Sequence, residues 1–167
     1  MTSRTLHLVD LENLAGSPRV SAGEAIETLH SYLDAAQWQP GDLVYVAMNP
    51  HLAERVAFDV AVPCRMHCAH GRDGADLALL AHAAPEFVAR RATRLVIGSG
   101  DHIFLPRASG APDLGVDVRV VARADSVHWS WYSAGFPVVS LAPEALGQVR
   151  ASHSWPEVSG RAPALAF

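Results

Sequence analysis

The sequence contains no lysine: all 13 of its basic residues are arginine. That excludes Schiff-base chemistry and a phosphate loop built on a lysine. Basic charge is short overall. Seventeen acids against 13 arginines leave a formal net charge of −4, and the pI is about 6.1. A broad basic nucleic-acid surface does not fit that balance, whereas a local groove of arginines does. Cysteine is almost absent, at two residues, Cys64 and Cys68. No apolar run reaches the length of a membrane span, and Met1-Thr2-Ser3-Arg4 leads into the first strand without a signal peptide. The expected setting is therefore cytoplasmic, with no membrane partner and both thiols reduced. There is no internal repeat and no low-complexity block.

What the chain does have is short apolar runs alternating with helical patterns. Its 167 residues are 50% hydrophobic. This suits one domain with a full core, assigned to residues 1–150, and a Ser-, Pro- and Gly-rich tail over residues 151–167, expected to be flexible. Strands are predicted over residues 5–10, 43–48, 63–68, 94–101 and 116–122, with a last edge strand over 137–141. Residues 14–20 contain Gly16 and Pro18 and read as a loop. Ser21 with Glu24 three residues on makes a capping box for the next helix. Another helix follows Asn49-Pro50. A third starts at Asp73, as N-cap, and is kinked or restarted by Pro85. Residues 126–132 also read as helical. Strands alternating with helices predict an α/β fold: a three-layer α/β/α arrangement around a mostly parallel sheet of order 3-2-1-4-5.

That order makes the strands ending at Asp10 and near Asp101 neighbours at the switch point, where open parallel sheets place their ligand sites. Asp76, in the first turn of the helix after the third strand, comes to the same edge. Each acid alone is an ordinary cap or turn former. Three at one edge point to a site, because carboxylates held together repel unless a cation neutralises them. Mg2+ or Mn2+ takes such oxygen ligands and can activate a water against a phosphodiester. Asn13 and Ser99 are suited to positioning a water or a phosphate oxygen. Gly98 and Gly100 read as clearing the backbone where a substrate approaches. Arg72, Arg107 and Arg123 are the candidate phosphate contacts.

Other patterns read more plainly. Glu12 is expected to face solvent. Cys64-Arg65-Met66-His67-Cys68 lacks the Cys-x-x-Cys spacing and a second cysteine pair for zinc, and its alternation suits core packing. His102 reads equally as a proton shuttle or as a surface residue. Trp129, Trp131 and Tyr132 are expected to pack rather than to stack on bases. Gly98-Ser99-Gly100 is too short for a dinucleotide fingerprint.

Three segments together carry a resemblance: Asp10-Leu11-Glu12-Asn13, Gly74-Ala75-Asp76-Leu77-Ala78-Leu79 and Ser99-Gly100-Asp101-His102-Ile103-Phe104. In order and spacing they resemble the three signature motifs of NYN domains, which belong to the PIN-like metal-dependent ribonucleases. The resemblance covers roughly residues 5–142. It implies a PIN-like α/β/α fold, Mg2+ or Mn2+ as cofactor, and hydrolysis of RNA, single-stranded or structured. It places Asp10, Asp76 and Asp101 at metal-binding positions and Asn13 at the polar position after the first strand. A homodimer is left open. The family often reads Ser-Gly-Asp-x-Asp-Phe, and here Ile103 stands at the second Asp. Asp73, His102 and Asp125 are the residues placed to supply a substitute. Without one, the implied alternative is a degenerate PIN-like domain that binds RNA or a protein partner without cutting.

Overall fold

The structure is a computed structural model that describes residues 4–71, 74–141 and 165–166. Its centre is a parallel sheet. The six main strands are β1 (Thr5–Asp10), β2 (Leu43–Met48), β3 (Arg65–Cys68), β4 (Arg94–Gly98), β5 (Asp117–Arg123) and β6 (Val138–Leu141), and a two-residue β7 (Leu165–Ala166) adds to one edge. The order is β6-β5-β4-β1-β2-β3-β7, so the expected 3-2-1-4-5 core is present with one strand added at each side. Of the expected tail, only β7 lies within the described residues, paired in parallel with Met66 and His67 of β3.

The helices are α1 (Leu11–Ala15), α2 (Ala22–Ala35), α3 (Pro50–Val56), α4 (Gly74–Leu80), α5 (Pro85–Ala89), α6 (Leu105–Ala108) and α7 (Ser130–Ser133). They cover both faces of the sheet, so the central strands are apolar on both sides. On one face Val9, Val46, Met66 and Val96 pack with Leu29, Tyr32 and Leu33 of α2. On the other, Leu6, Leu8, Ile97 and Val120 pack with Leu79, Phe104 and Trp131. Cys64 and Cys68 are free thiols against the first cluster. Burial pushes the Cys64 thiol up to about 12, which makes it a packing residue rather than a nucleophile.

Local chemistry sets the boundaries. Ser21 and Glu24 form the expected capping box at α2. Asn49 caps α3 by accepting the Leu52 N–H at 2.8 Å. The chain breaks after α4 and restarts at Pro85, which suits the first helical turn because its missing N–H has no partner to lose there. Three boundaries differ from expectation. A short helix, α1, precedes the loop expected over residues 14–20; Asp10 caps its start, and Gly16, at φ +75°, ends it. β4 stops at Gly98, because Ser99, Gly100 and Asp101 already turn. The helix expected over residues 126–132 begins only at Ser130.

One buried polar group sits inside β1. His7 is fully buried, with Nδ1 3.1 Å from the Tyr32 hydroxyl and Nε2 3.5 Å from Asp42. Asp42 also accepts the Thr5 N–H at 2.8 Å. This tie fixes the amino-terminal edge of the sheet, the edge opposite the carboxylates. No helix among the described residues is long and apolar enough to cross a membrane.

Candidate functional site

β1 lies between β2 and β4, with Val9 beside Gly98 and Asp10 beside Ala47. The chain winds outward from β1 to β2 and β3 on one side, then crosses back to place β4 on the other side of β1. The crevice beyond the carboxyl ends of β1 and β4 is therefore the switch point of the sheet. Asp10 ends β1 in that crevice. Its Oδ1 accepts the N–H groups of Glu12 at 3.1 Å and Asn13 at 3.0 Å, so the same carboxylate starts α1.

Asp76 reaches this point from the first turn of α4, which packs against β1, β2 and the turn after β4. Both carboxylates are buried, and the Asp76 side chain lies in contact with that of Asp10. Burial is the main force on Asp10 and pushes its carboxyl above the usual range. The N–H groups of Asn13 and Glu12 and the contact with Asp76 pull it down, and the charge of nearby Asp101 pushes it up again. Two carboxyl groups in this contact repel when both are ionised, a cost that a shared proton or a cation would relieve.

Asp101 stands at the start of the 3-10 turn His102–Phe104 and accepts the Ile103 N–H at 2.9 Å. Its carboxylate is partly exposed and lies 3.2 Å from Nδ1 of His102. Asn13 and Ser99 both make ties within the protein. Asn13 Oδ1 accepts the Gly100 N–H at 3.1 Å, which locks α1 to the turn after β4. Ser99 is fully buried and its Oγ accepts the Asp101 N–H at 3.2 Å, so it shapes the turn rather than facing a phosphate. The glycines also serve protein contacts, not an approaching substrate. A Cβ on Gly98 would fall 2.7 Å from the Tyr32 ring, and one on Gly100 2.2 Å from the Ser126 carbonyl oxygen.

The arginines separate. Arg123 ends β5 on the carboxyl edge, but its guanidinium is held: Nε donates to Asp125 at 2.9 Å and Nη1 to the Ala15 carbonyl at 3.2 Å, over Gly16. Arg107 is exposed on α6. Arg72 and Asp73 lie outside the described residues. Asp125 is committed to Arg123, and the side chain of Ile103 packs on the second core cluster, so neither offers a further acid.

Glu12 departs from expectation. It accepts the Asn49 backbone N–H at 3.2 Å and also hydrogen-bonds the Asn49 amide. Burial raises its carboxyl above the usual range, outweighing those bonds. Glu12 thus ties the end of β2 to α1, and a partner 37 residues away gives no local signal in the sequence.

The aromatic segment after β5 also divides. Trp131 is buried as expected, its Nε1 donating to the carbonyls of Gly100 and Asp101 at 3.2 Å each. Trp129 and Tyr132 are 68% and 57% exposed, so neither packs in the core. Another concavity, of 450 Å³, lies between Pro112, Asp117 and Phe136 at the amino-terminal end of β5. It is on the opposite edge of the sheet and offers no cluster of carboxylates.

The donors at the switch point are carboxylate oxygens, which suits a hard divalent cation such as Mg2+ or Mn2+. Among the described residues no three His, Cys, Asp or Glu side chains form a closed ligand set. Asp10 and Asp76 form a pair, and Asp101 acts on Asp10 from nearby through its charge. The chain matches no protein-family model, no curated protein and no solved structure.

Proposed function

We propose that this protein is a metal-dependent ribonuclease that hydrolyses RNA phosphodiester bonds at the carboxyl edge of β1 and β4. The reading rests on the three motifs that resemble NYN domains. The observation that carries it is the buried Asp10–Asp76 pair, with the charge of Asp101 bearing on it. Structural carboxylates seldom sit buried against one another, because each raises the cost of ionising the other. A hard cation removes that cost.

In this reading Asp10, Asp76 and Asp101 hold Mg2+ or Mn2+. The bound ion supplies an activated water and stabilises charge on the phosphoryl oxygens. The chain's own groups do the rest. Asn13 holds Gly100, and so the Asp101 turn, against α1. Glu12 fixes α1 against the end of β2. Among the described candidates Arg107, exposed on α6, is free to meet a phosphate, whereas Arg123 supports the edge through Asp125 and Ala15. The cytoplasm, where Cys64 and Cys68 stay reduced, is the setting this reading expects.

Ile103 favours a second reading. Where the resembling family often has an acid, this chain has an apolar side chain against the core. The alternative is a degenerate domain that binds RNA, or a protein, without cutting. Incubation of RNA with the protein in Mn2+ or Mg2+, with and without chelator, decides between them. Cleavage that the chelator abolishes is the expected result. Intact RNA in both metals overturns the nuclease.

A further inference from the structure

Beside the carboxylates stands a group of rings that the proposed hydrolysis does not use. His102 and His128 face one another with ring centroids 4.3 Å apart and planes 31° from parallel. His128 and Trp129 follow at 5.7 Å and 36°. His102 in turn touches Asp101 through Nδ1. The rings come from two loops, one after β4 and one after β5, and those loops are locked together. The His128 N–H donates to the Gly100 carbonyl at 2.9 Å. Trp131 Nε1 donates to the carbonyls of Gly100 and Asp101. His128 Nδ1 lies 2.8 Å from Ser130 Oγ, which sets its ring plane. Gly100 is the residue that permits this approach, since any Cβ there would meet the Ser126 carbonyl.

We propose that His102, His128 and Trp129 form a stacking surface for an unpaired base of single-stranded RNA, next to the carboxylates. The proposal rests on the RNA reading above and names the substrate class of that site. Three features favour a base as occupant. Trp129 is largely exposed and stands beside the tilted His102–His128 pair, so an aromatic face is on offer there. The surface is joined to Asp101, so a base stacked on it brings its own backbone to the carboxylates. The chain also has no lysine and a net charge of −4, so counterion release beyond local arginines such as Arg107 supplies little affinity and another source is needed. Stacking is that source, and it is tolerant of sequence because every base has a π-face. Bases paired in a duplex are not available to it.

The test measures fluorescence anisotropy of a short labelled single-stranded RNA and of a duplex of equal length. Both are titrated with wild-type protein, Trp129→Ala and Trp129→Phe, in Ca2+ and again in chelator. Trp129 is on the surface, and melting curves verify that each variant folds. The expected result is about a tenfold loss of single-strand affinity in Trp129→Ala, most of it restored in Trp129→Phe, with duplex affinity unmoved. Equal loss on both RNAs, or no loss on either, overturns the stacking surface; so does a wild type that binds single strands in neither condition. Unchanged RNA affinity leaves the patch to a protein partner. Hydrolysis of bis(p-nitrophenyl) phosphate by wild-type protein in Mn2+ is followed separately, because that ester needs no base. Its absence sinks the nuclease reading, while a single-strand loss in Trp129→Ala still upholds the stacking surface.

Discussion

Asp10 caps α1 and, with the same buried side chain, meets Asp76 on α4. Two elements far apart in sequence are thereby joined through two acids. In the proposed reading a divalent cation would take the place of a proton shared by this pair. The predictions below turn on this exchange.

Asp76→Asn tests the pair directly. An amide in place of the second carboxyl donates to Asp10 without needing a shared proton, so the link survives and one buried charge is gone. Metal-free stability is expected to rise, by about 1 kcal/mol, and the stabilisation given by Mn2+ is expected to vanish together with cleavage. Thermal melts with and without Mn2+ measure the first two and an RNA digest the third. Lower metal-free stability with cleavage retained would make Asp76 a structural acid.

The pH dependence carries the same signature. Burial raises the folded-state pKa of Asp10, so its contribution to stability is complete in acid and is lost as pH rises through that raised value. Asp42 has the opposite sign. Burial works to raise it, but the bonds from His7, Thr5 and Gln39 win and lower it. Its contribution is present above the ordinary carboxylate range and is lost only as pH falls through the lowered value. Denaturant melts in chelator should therefore show a component of stability that declines as pH rises from the ordinary carboxylate range through the raised value of Asp10. Asp10→Asn should flatten that decline, and Mn2+ should reverse it in the wild type by binding the folded state.

Gly100→Ala probes the junction of the two loops. Its Cβ would meet a backbone carbonyl oxygen at 2.2 Å, an atom that cannot swing aside. The loops must part, which strains the bonds from Gly100 to Asn13, His128 and Trp131. A cost of about 1–3 kcal/mol is expected, with weaker cleavage. A melting temperature equal to wild type would show that the loops meet less closely.

Much of this was open to sequence reasoning, for physical reasons that also mark where it stopped. The apolar runs ending at Asp10 and Gly98 are buried on both faces, and helices between parallel strands leave few orders for the sheet. Ser21 and Glu24 are three residues apart, so their capping box is local and readable. Glu12 and Asn49, or His7 and Asp42, meet only after the sheet has formed. Gly16 and Pro18 hid the five residues of α1, because a helix that short leaves no periodicity to see. Trp129 and Trp131 are two residues apart, one exposed and one buried, and only the start of α7 at Ser130 decides which is which. The tight spaces over Gly98 and Gly100 are filled by Tyr32 and Ser126, long-range contacts that a glycine in the sequence cannot name.

The arginines offer a contrast between binding and support. Arg107→Ala removes an exposed cation on α6 and should lower the slope of log affinity for RNA against log salt by about one unit, with stability unmoved. Arg123→Ala breaks the bonds to Asp125 and the Ala15 carbonyl and should lower the melting temperature. If Arg123→Ala instead reduces the salt slope at unchanged stability, its side chain leaves Asp125 to meet a phosphate.

Asp101 combines two roles that two substitutions can separate. It caps the 3-10 turn by accepting the Ile103 N–H, and its charge bears on the buried Asp10. Asn is as good an N-cap as Asp, whereas Ala costs about 1 kcal/mol at such a position. Asp101→Asn therefore keeps the turn and removes only the charge. Metal-free stability should hold or rise slightly, because one source of repulsion on Asp10 is gone, while affinity for a hard cation falls with the loss of a carboxylate. Asp101→Ala should lose cleavage equally and stability as well. Melting curves in chelator and RNA digests in Mn2+, run on both variants, give the comparison. Cleavage lost in both, with stability lost only in Asp101→Ala, is the expected pattern for a metal ligand that also caps. Cleavage retained in Asp101→Asn and lost only with the fold in Asp101→Ala would reduce Asp101 to its cap.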